Sequence, residues 1–402
     1  MWADELPPTA GLPLRLGDLL PRRTRLEDRL HALYDLPDPL LTCSGTAAFL
    51  LSLRALQRLA PRRDEVVVPA YTCPLVALAV RAAGLQLRLC DLREGHFDMD
   101  TAALRAVCGP RTLAVVPTHL GGRLTDVASA SAVAHACGAW VIEDAAQALG
   151  ARLGGTSAGL QGDIGFFSLA VGKGLSLYEG GVLVSADPEL RALLAREAAQ
   201  VPWRLLWELR RSLELLGMTL LYRPMALRLA YGLPLRRALR RGDPEAAIGD
   251  RFDAQIPLHR LGPWRRAVGA NAAIRLADFQ VAARARALEW RSELTALPGL
   301  EVFGDRPGER GTWPVLWLRL PDRQCRDAVL DALWTQGVGA SRMFIHALPD
   351  YAYLRDCVPD TSVPQARALA ECTLTLGNSA WLDAPRRARI RQVLADVLSH
   401  RV

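Results

Sequence analysis

Lysine is almost missing from this chain: of 49 basic side chains in 402 residues, all but Lys173 are arginine. A composition so biased excludes lysine as the ordinary surface cation, so the one that remains asks for a reason beyond charge. The eight cysteines, at 43, 73, 90, 108, 137, 325, 357 and 372, form no CxxC pair and no metal-ligand spacing. That excludes zinc modules and dithiol redox motifs, leaves no metal site to expect, and reads as free thiols in a reducing cytoplasm. The start, "MWADELPPTAGLPLRL", lacks the basic region followed by an apolar run of a secretion signal, so no such signal is expected. Internal repeats and low-complexity tracts are absent too, and nothing resembles a nucleic-acid module.

What is there begins around the lone lysine. Lys173 lies in "FFSLAVGKGLSLYEGG", flanked by Gly172 and Gly174, after an apolar run and before "EGGVLVS", a turn into a buried strand. A guanidinium stays protonated, whereas a desolvated lysine amine loses its proton and attacks carbonyls. A leftover surface charge is the bland alternative, but an apolar, glycine-flanked address suits it poorly. Lys173 is a reactive-amine candidate.

Length and composition allow one large domain and a smaller one, with half the residues hydrophobic and 23% charged. Over the first 190 or so residues, short apolar runs alternate with helical patterns. "EVVVPAY" (65–71), "LQLRLCDL" (85–92), "TLAVVPTHL" (112–120), "AWVIEDAA" (139–146) and "GVLVSAD" (181–187) predict strands. Uninterrupted apolar strands between helices predict an α/β fold with a largely parallel sheet covered on both faces, and ligands beyond the strands' carboxyl ends. The expected domains are 1–270, large and cofactor-binding, and 271–402, a linking helix with a small α+β domain. Between them, about 196–262 reads as a basic helical insertion, its helices broken at Pro224, Pro234 and Pro244.

If Lys173 forms an imine, pyridoxal phosphate is the obvious cofactor, and it needs an acid at its ring nitrogen and an anion site for its phosphate. Asp144 ends the strand "AWVIED", where a buried carboxylate is costly unless a cation pairs with it. Capping of the next helix is the alternative reading of Asp144. "LLTCSGTAAFLLSLRAL" offers a strand and then Ser44-Gly45-Thr46 opening a helix, whose free amides make an anion site. Ser168 stands ready to add a hydroxyl.

Together these residues resemble the DegT/DnrJ/StrS family of sugar aminotransferases, which are fold-type-I pyridoxal phosphate enzymes. The resemblance runs through "SGTAA", "VVVPAYT", "VIEDAAQALGA", "GDIGFFSL", "GKGLS" and "EGGVLVS", and again at "GANAAIRLADFQVAA". It implies Lys173 as the imine-forming and proton-moving amine, Asp144 as partner of the ring nitrogen, and Gln147 near the ring. It also implies Thr46, Ala47 and Ser168 on the phosphate with Gly45 allowing close approach, and Asn271 reaching the phosphate of a neighbouring subunit in a homodimer. Glutamate as amino donor and a ketosugar joined to a nucleotide as acceptor follow from the same likeness; a non-catalytic relative is the alternative. Four positions depart from the family pattern: Cys73 and Gly121 stand where an aromatic is usual, Leu149 for a His, and Tyr178 for a Gly.

The resemblance leaves the basic segment unexplained. From Val201 to Arg241, nine arginines face two glutamates, so the whole excess of +7 lies there. Its longest uncharged run, "LLGMTLLY", is far below the ~20 residues that span a bilayer. Arginine interleaved with Trp203, Trp207, Tyr222 and Tyr231 suits a helix lying at an anionic membrane surface, at the inner face of the cytoplasmic membrane. A helical cover packed on the protein or at a dimer interface is the other reading.

Overall fold

A computed structural model describes residues 4–20 and 24–399. Seven strands form the central sheet: β1 (Leu40–Thr42), β2 (Glu65–Pro69), β3 (Gln86–Cys90), β4 (Thr112–Val115), β5 (Trp140–Asp144), β6 (Ile164–Ser168) and β7 (Gly181–Val184). Their spatial order is β1-β7-β6-β5-β4-β2-β3. The run β3, β2, β4, β5, β6 is parallel, while β7 lies antiparallel between β6 and β1. Val66, Val67, Val68, Leu113, Val115, Val141 and Ile142 are buried, as central strands covered on both faces require. The predicted strands are all present but end two to five residues earlier, because the chain leaves the sheet to build loops at the carboxyl ends.

A four-stranded antiparallel sheet follows, ordered Glu301–Val302, Val315–Arg319, Thr373–Gly377, Ala340–Ser341. The helices Arg323–Leu333 and Ala384–Ser399 pack on it over Trp290, Trp313 and Leu316.

The basic segment is helical: Leu205–Leu221, Pro224–Leu227, Leu233–Arg240 and Pro244–Ile248. Pro234 does not break it. A π turn at Arg228–Gly232 joins the flanking helices, with Leu233 N–H bonding the Arg228 carbonyl, so Pro234 enters at the first turn of the next helix, where its missing N–H costs little.

Helix Leu205–Leu221 turns one face to the body. Leu215 joins the core beneath the sheet, and Glu208 meets the fully buried Arg265 with Nη2–Oε2 and Nε–Oε1 distances of 2.6 and 2.8 Å. Arg211 ion-pairs with Glu179 and stacks over the Tyr178 ring at 5.7 Å. These contacts brace the turn just beyond Lys173. Among the described residues, no helix is long and apolar enough to cross a membrane.

Candidate active site

The carboxyl ends of β2, β4, β5 and β6 open on a cavity of about 410 Å³. It gathers Gly45, Thr46, Asp144, Gln147, Ser168 and Lys173, most of the residues singled out from the sequence.

Lys173 sits in a tight turn after β6, with Gly172 at φ +81°. Leu12 N–H bonds the Gly174 carbonyl at 2.9 Å, so an N-terminal strap pins this turn from outside. The residue keeps some exposure toward the cavity, yet packed protein around the amine lowers its pKa below the ordinary lysine value, with Cys73 and Asp144 partly opposing that shift. An amine so placed is more readily neutral and nucleophilic.

Asp144, at the end of β5, is 3% exposed, and its carboxylate accepts one hydrogen bond, from Ala146 N–H at 3.0 Å. Burial pushes its pKa up to about 6, only partly offset by that bond and by the charges of Lys173 and His119. No cation lies within ion-pair distance among the described residues, so the carboxylate is a buried charge site with its counter-charge lacking. The Asp144 side chain also caps the turn into residue 146; no helix follows it, so the helix-cap reading does not hold as made.

Ser44 caps the helix Gly45–Leu59, its Oγ accepting from Ala47 N–H at 3.0 Å. Gly45 and Thr46 N–H groups have no partner among the described residues and open on the cavity. A Cβ at Gly45 would come within 3.0 Å of the Ser168 Cβ, and one at Gly181 within 2.3 Å of the Ser44 carbonyl oxygen. Glycine therefore lets the turn lie against β6 and β7. The result is a helix N-terminus with free donors beside a serine hydroxyl.

Ala47 falls outside this arrangement, and Asn271, expected at the phosphate of a neighbouring subunit, is engaged within its own chain. Ala47 has its N–H committed to Ser44, and it lines a second cavity, of about 520 Å³, with His31 and Arg266. Asn271 is buried within its own chain; its amide donates to the carbonyls of Asp18 and Leu20 at 2.8 and 2.7 Å, so its donors are spent and it does not reach this chain's cavity.

Gln147 accepts from Gly121 N–H at 2.8 Å, which fixes the amide and turns its NH₂ away from that contact. A Cβ at Gly121, φ +56°, would meet Met343 Cε at 3.2 Å, so Met343 fills the space where the family keeps an aromatic. Tyr178, in place of a usual glycine, retains the glycine-like backbone at φ +66°. Cys73 lies at the start of the helix Pro74–Ala82, its thiol pushed up to about 12 by burial and so protonated.

Sequence reasoning missed what comes from far along the chain. Tyr231, Asp250 and Phe252 of the insertion line the cavity, as do Arg342, Met343 and Phe344. Asp250 Oδ2 accepts from Tyr351 Oη at 2.6 Å and Ile345 N–H at 2.8 Å, and burial raises its pKa to about 6. Gly249, at φ +79°, turns the chain from the preceding helix into this contact. Aromatic surface is thus supplied by Phe252, Phe279 and Phe344 rather than at position 73. No local pattern marks these residues; the only signal was the lack of an aromatic at Cys73 beside a surplus of chain after Lys173.

An amine of lowered pKa, a buried carboxylate lacking its cation and a helix N-terminus with open donors are the three partners that pyridoxal phosphate asks for, and the residues present fit that cofactor.

Comparison with known proteins agrees with this geometry. Residues 18–199 match the model of the DegT/DnrJ/EryC1/StrS aminotransferase family. The UDP-N-acetyl-3-dehydro-alpha-D-glucosamine 3-aminotransferase of Acidithiobacillus ferrooxidans is 41% identical over 152 residues, 38% of this chain and 41% of that protein. The dTDP-3-amino-3,4,6-trideoxy-alpha-D-glucose transaminase of Streptomyces venezuelae is 29% identical over 349 residues, 86% of this chain and 79% of that one. The GDP-perosamine synthase of Caulobacter vibrioides is 37% identical over 41% of this chain and 44% of its own length. For the first and third of these the matched part spans less than half of the relative. The aminotransferase TlmJ from Streptoalloteichus hindustanus superposes with a TM-score of 0.73 at 21% identity, over 98% of this chain and 99% of its own, which establishes the fold.

Proposed function

We propose that this chain, whose residues 18–199 match the DegT/DnrJ/EryC1/StrS aminotransferase family, carries out a pyridoxal-phosphate-dependent transfer of an amino group from glutamate to a ketosugar carried on a nucleotide, in glycan or cell-envelope biosynthesis. The observation that carries it is the meeting of the chain's single lysine, the uncompensated Asp144 and the open helix N-terminus at Gly45-Thr46. The relatives that act on UDP-, dTDP- and GDP-sugars by name support the acceptor class.

Pyridoxal phosphate, when bound, supplies a carbonyl with which amines condense and a ring that accepts the electron pair left by an α-proton. Gly45 and Thr46 N–H and the Ser168 hydroxyl would hold its phosphate. Asp144 would keep the ring nitrogen protonated and be relieved of an uncompensated charge. Gln147 would offer its NH₂ beside the ring. Lys173, desolvated and within the same cavity, would be the group whose Nζ takes up and gives back a proton during the transfer. Tyr231, Ile248, Asp250 and Phe252 would form the wall that narrows access of water to the amine.

The test is direct. Borohydride reduction of the holoenzyme should fix the cofactor on Lys173, located by peptide mapping, and glutamate should shift the absorbance of bound cofactor. Lys173→Arg should keep the fold and charge and lose both signals; full turnover in that variant would sink the reading.

Two finer assignments go with it. A homodimer with a site shared across the interface is proposed on family likeness, although Asn271 is engaged within its own chain. A second reading has the enzyme at the inner membrane surface acting on a lipid-linked carbonyl. It is favoured by one observation: the insertion that lines the cavity also holds the whole +7 excess. Offering nucleotide-linked and lipid-linked ketosugars to the enzyme after the glutamate half-reaction separates the two.

A further inference from the structure

Helix Leu205–Leu221 is apolar on two sides. Its inner face, through Glu208, Leu215 and Thr219, is packed on the body, which would be enough for a covering helix. Its outer face carries Leu205, Leu206, Leu209, Leu213, Leu216 and Leu220, with exposures between 38% and 82%. Spacings of three and four put them in one row about 25 Å long. Met225 at 81% and Leu229 at 71% extend the apolar surface onto the next helix and π turn, and Trp203 stands exposed before the first residue of the row. A run of this length is uncommon on a monomer's surface and marks a place of contact.

Its rim is cationic. Arg204, Arg223, Arg237, Arg240 and Arg241 are exposed, and none lies within ion-pair distance of a carboxylate among the described residues. From Leu215 to Arg241 the chain has no acidic residue at all. The two glutamates before that stretch are consumed inward, Glu208 by Arg265 and Glu214 by Arg210 and Arg211.

We infer that this face docks on an anionic bilayer, with the leucine row among the acyl chains and the arginines at headgroup level. The leucines supply burial and the arginines supply charge attraction, each worth about fivefold in partitioning when close to the surface. A second copy of the chain fits worse. Symmetric pairing on this face would bring two arginine rims of the same sign together, with no acidic residue from 215 to 241 to answer either. A bilayer carries the opposite sign over its whole area. The inference stands on this surface and not on the transamination reading, and the two fail separately.

The experiment is co-sedimentation of the full-length holoenzyme with vesicles of phosphatidylcholine alone and of phosphatidylcholine mixed with phosphatidylglycerol, at low and high salt. Binding should require the anionic lipid and fall with salt, since screening shortens the reach of the charges to about 10 Å or less above 0.1 M. Leu206→Glu with Leu213→Glu should lower partitioning at least tenfold, and Arg237→Ala with Arg240→Ala and Arg241→Ala should lower it comparably. Both variants change exposed side chains, so the glutamate half-reaction should be unaltered. Failure of the wild-type protein to sediment with anionic vesicles at low salt overturns the inference. So does leucine-variant binding equal to wild type, or a fall in the molar mass in solution caused by the leucine substitutions, which assigns the row to a second copy instead.

Discussion

The hydroxyl of Tyr351 donates to the carboxylate of Asp250 at 2.6 Å, tying the end of the inserted segment to the C-terminal part of the chain across 101 positions of sequence. The same carboxylate oxygen accepts from Ile345 N–H, and the Asp250 carbonyl accepts from Tyr353. Asp250 and its neighbour Phe252 are cavity wall, so this knot sets where the wall stands.

Tyr351→Phe should therefore act on the acceptor more than on the donor. We expect the acceptor KM to rise severalfold, the glutamate half-reaction to hold, and stability to drop by about 1–3 kcal/mol from the buried oxygen left short of a donor. Stopped-flow measurement of the two half-reactions separates these effects. Equal loss in both would show that the knot supports the whole cavity rather than its acceptor side.

Asp144 and Asp250 both have pKa values raised to about 6 by burial, above the ordinary carboxyl value. A raised acid contributes stability that is fully present below its unfolded pKa, near 4, and is lost as pH rises through 6. The cofactor-free protein should thus become more stable as pH falls from about 7 to about 4, by up to roughly 2–3 kcal/mol per group. Asp144→Asn should remove about half of that slope. Thermal melts of the cofactor-free forms across this range provide the check, and an unchanged slope would mean Asp144 titrates normally.

Glu208→Ala leaves Arg265 fully buried without its counter-ion. Removing one partner of such a pair costs about 3–5 kcal/mol, whereas an exposed pair such as Arg319–Glu301 is worth less than about 1 kcal/mol. Urea melts of E208A and E301A should differ accordingly; similar midpoints would refute the role given to the buried pair.

Tyr178 pays backbone strain at φ +66° and is held by Arg211. Tyr178→Ala keeps the strain and loses the ring contact, whereas Tyr178→Gly loses the contact but relieves the strain. The glycine variant should be the more stable of the two by about 1 kcal/mol. Paired denaturation curves decide it, and an alanine variant equal to glycine would mean the turn relaxes on substitution.

The strand ends were legible because their signals are local. An apolar run closing on Asp144, or Ser44-Gly45-Thr46 opening a helix, needs only near neighbours to be read, and so does Lys173 between two glycines. The cavity wall was not legible, since Tyr231, Asp250 and Phe252 arrive through tertiary packing that no spacing encodes. The Ala47 N–H is taken by the capping serine, a choice between two acceptors that sequence leaves open. The Asn271 amide likewise donates to the carbonyls of Asp18 and Leu20, contacts that no spacing announces. In the basic segment the leucines were visible, but a helix apolar on both sides does not say which side packs. Pro234 read as a break because the π turn that accommodates it has no sequence mark of its own.

The inserted helices are not a detachable module. Leu215 fills part of the core, Glu208 neutralises Arg265, Arg211 steadies the turn after the lysine, and the far end completes the cavity. Excising the segment to recover a smaller catalyst would open the core and strand a buried cation. Grafting it onto a related enzyme would likewise fail without its partners at Glu179, Arg265 and Tyr351. Engineering or evolution that alters what this segment does at the surface has to work residue by residue on the outer leucine row, because its inner face belongs to the body that carries the cavity.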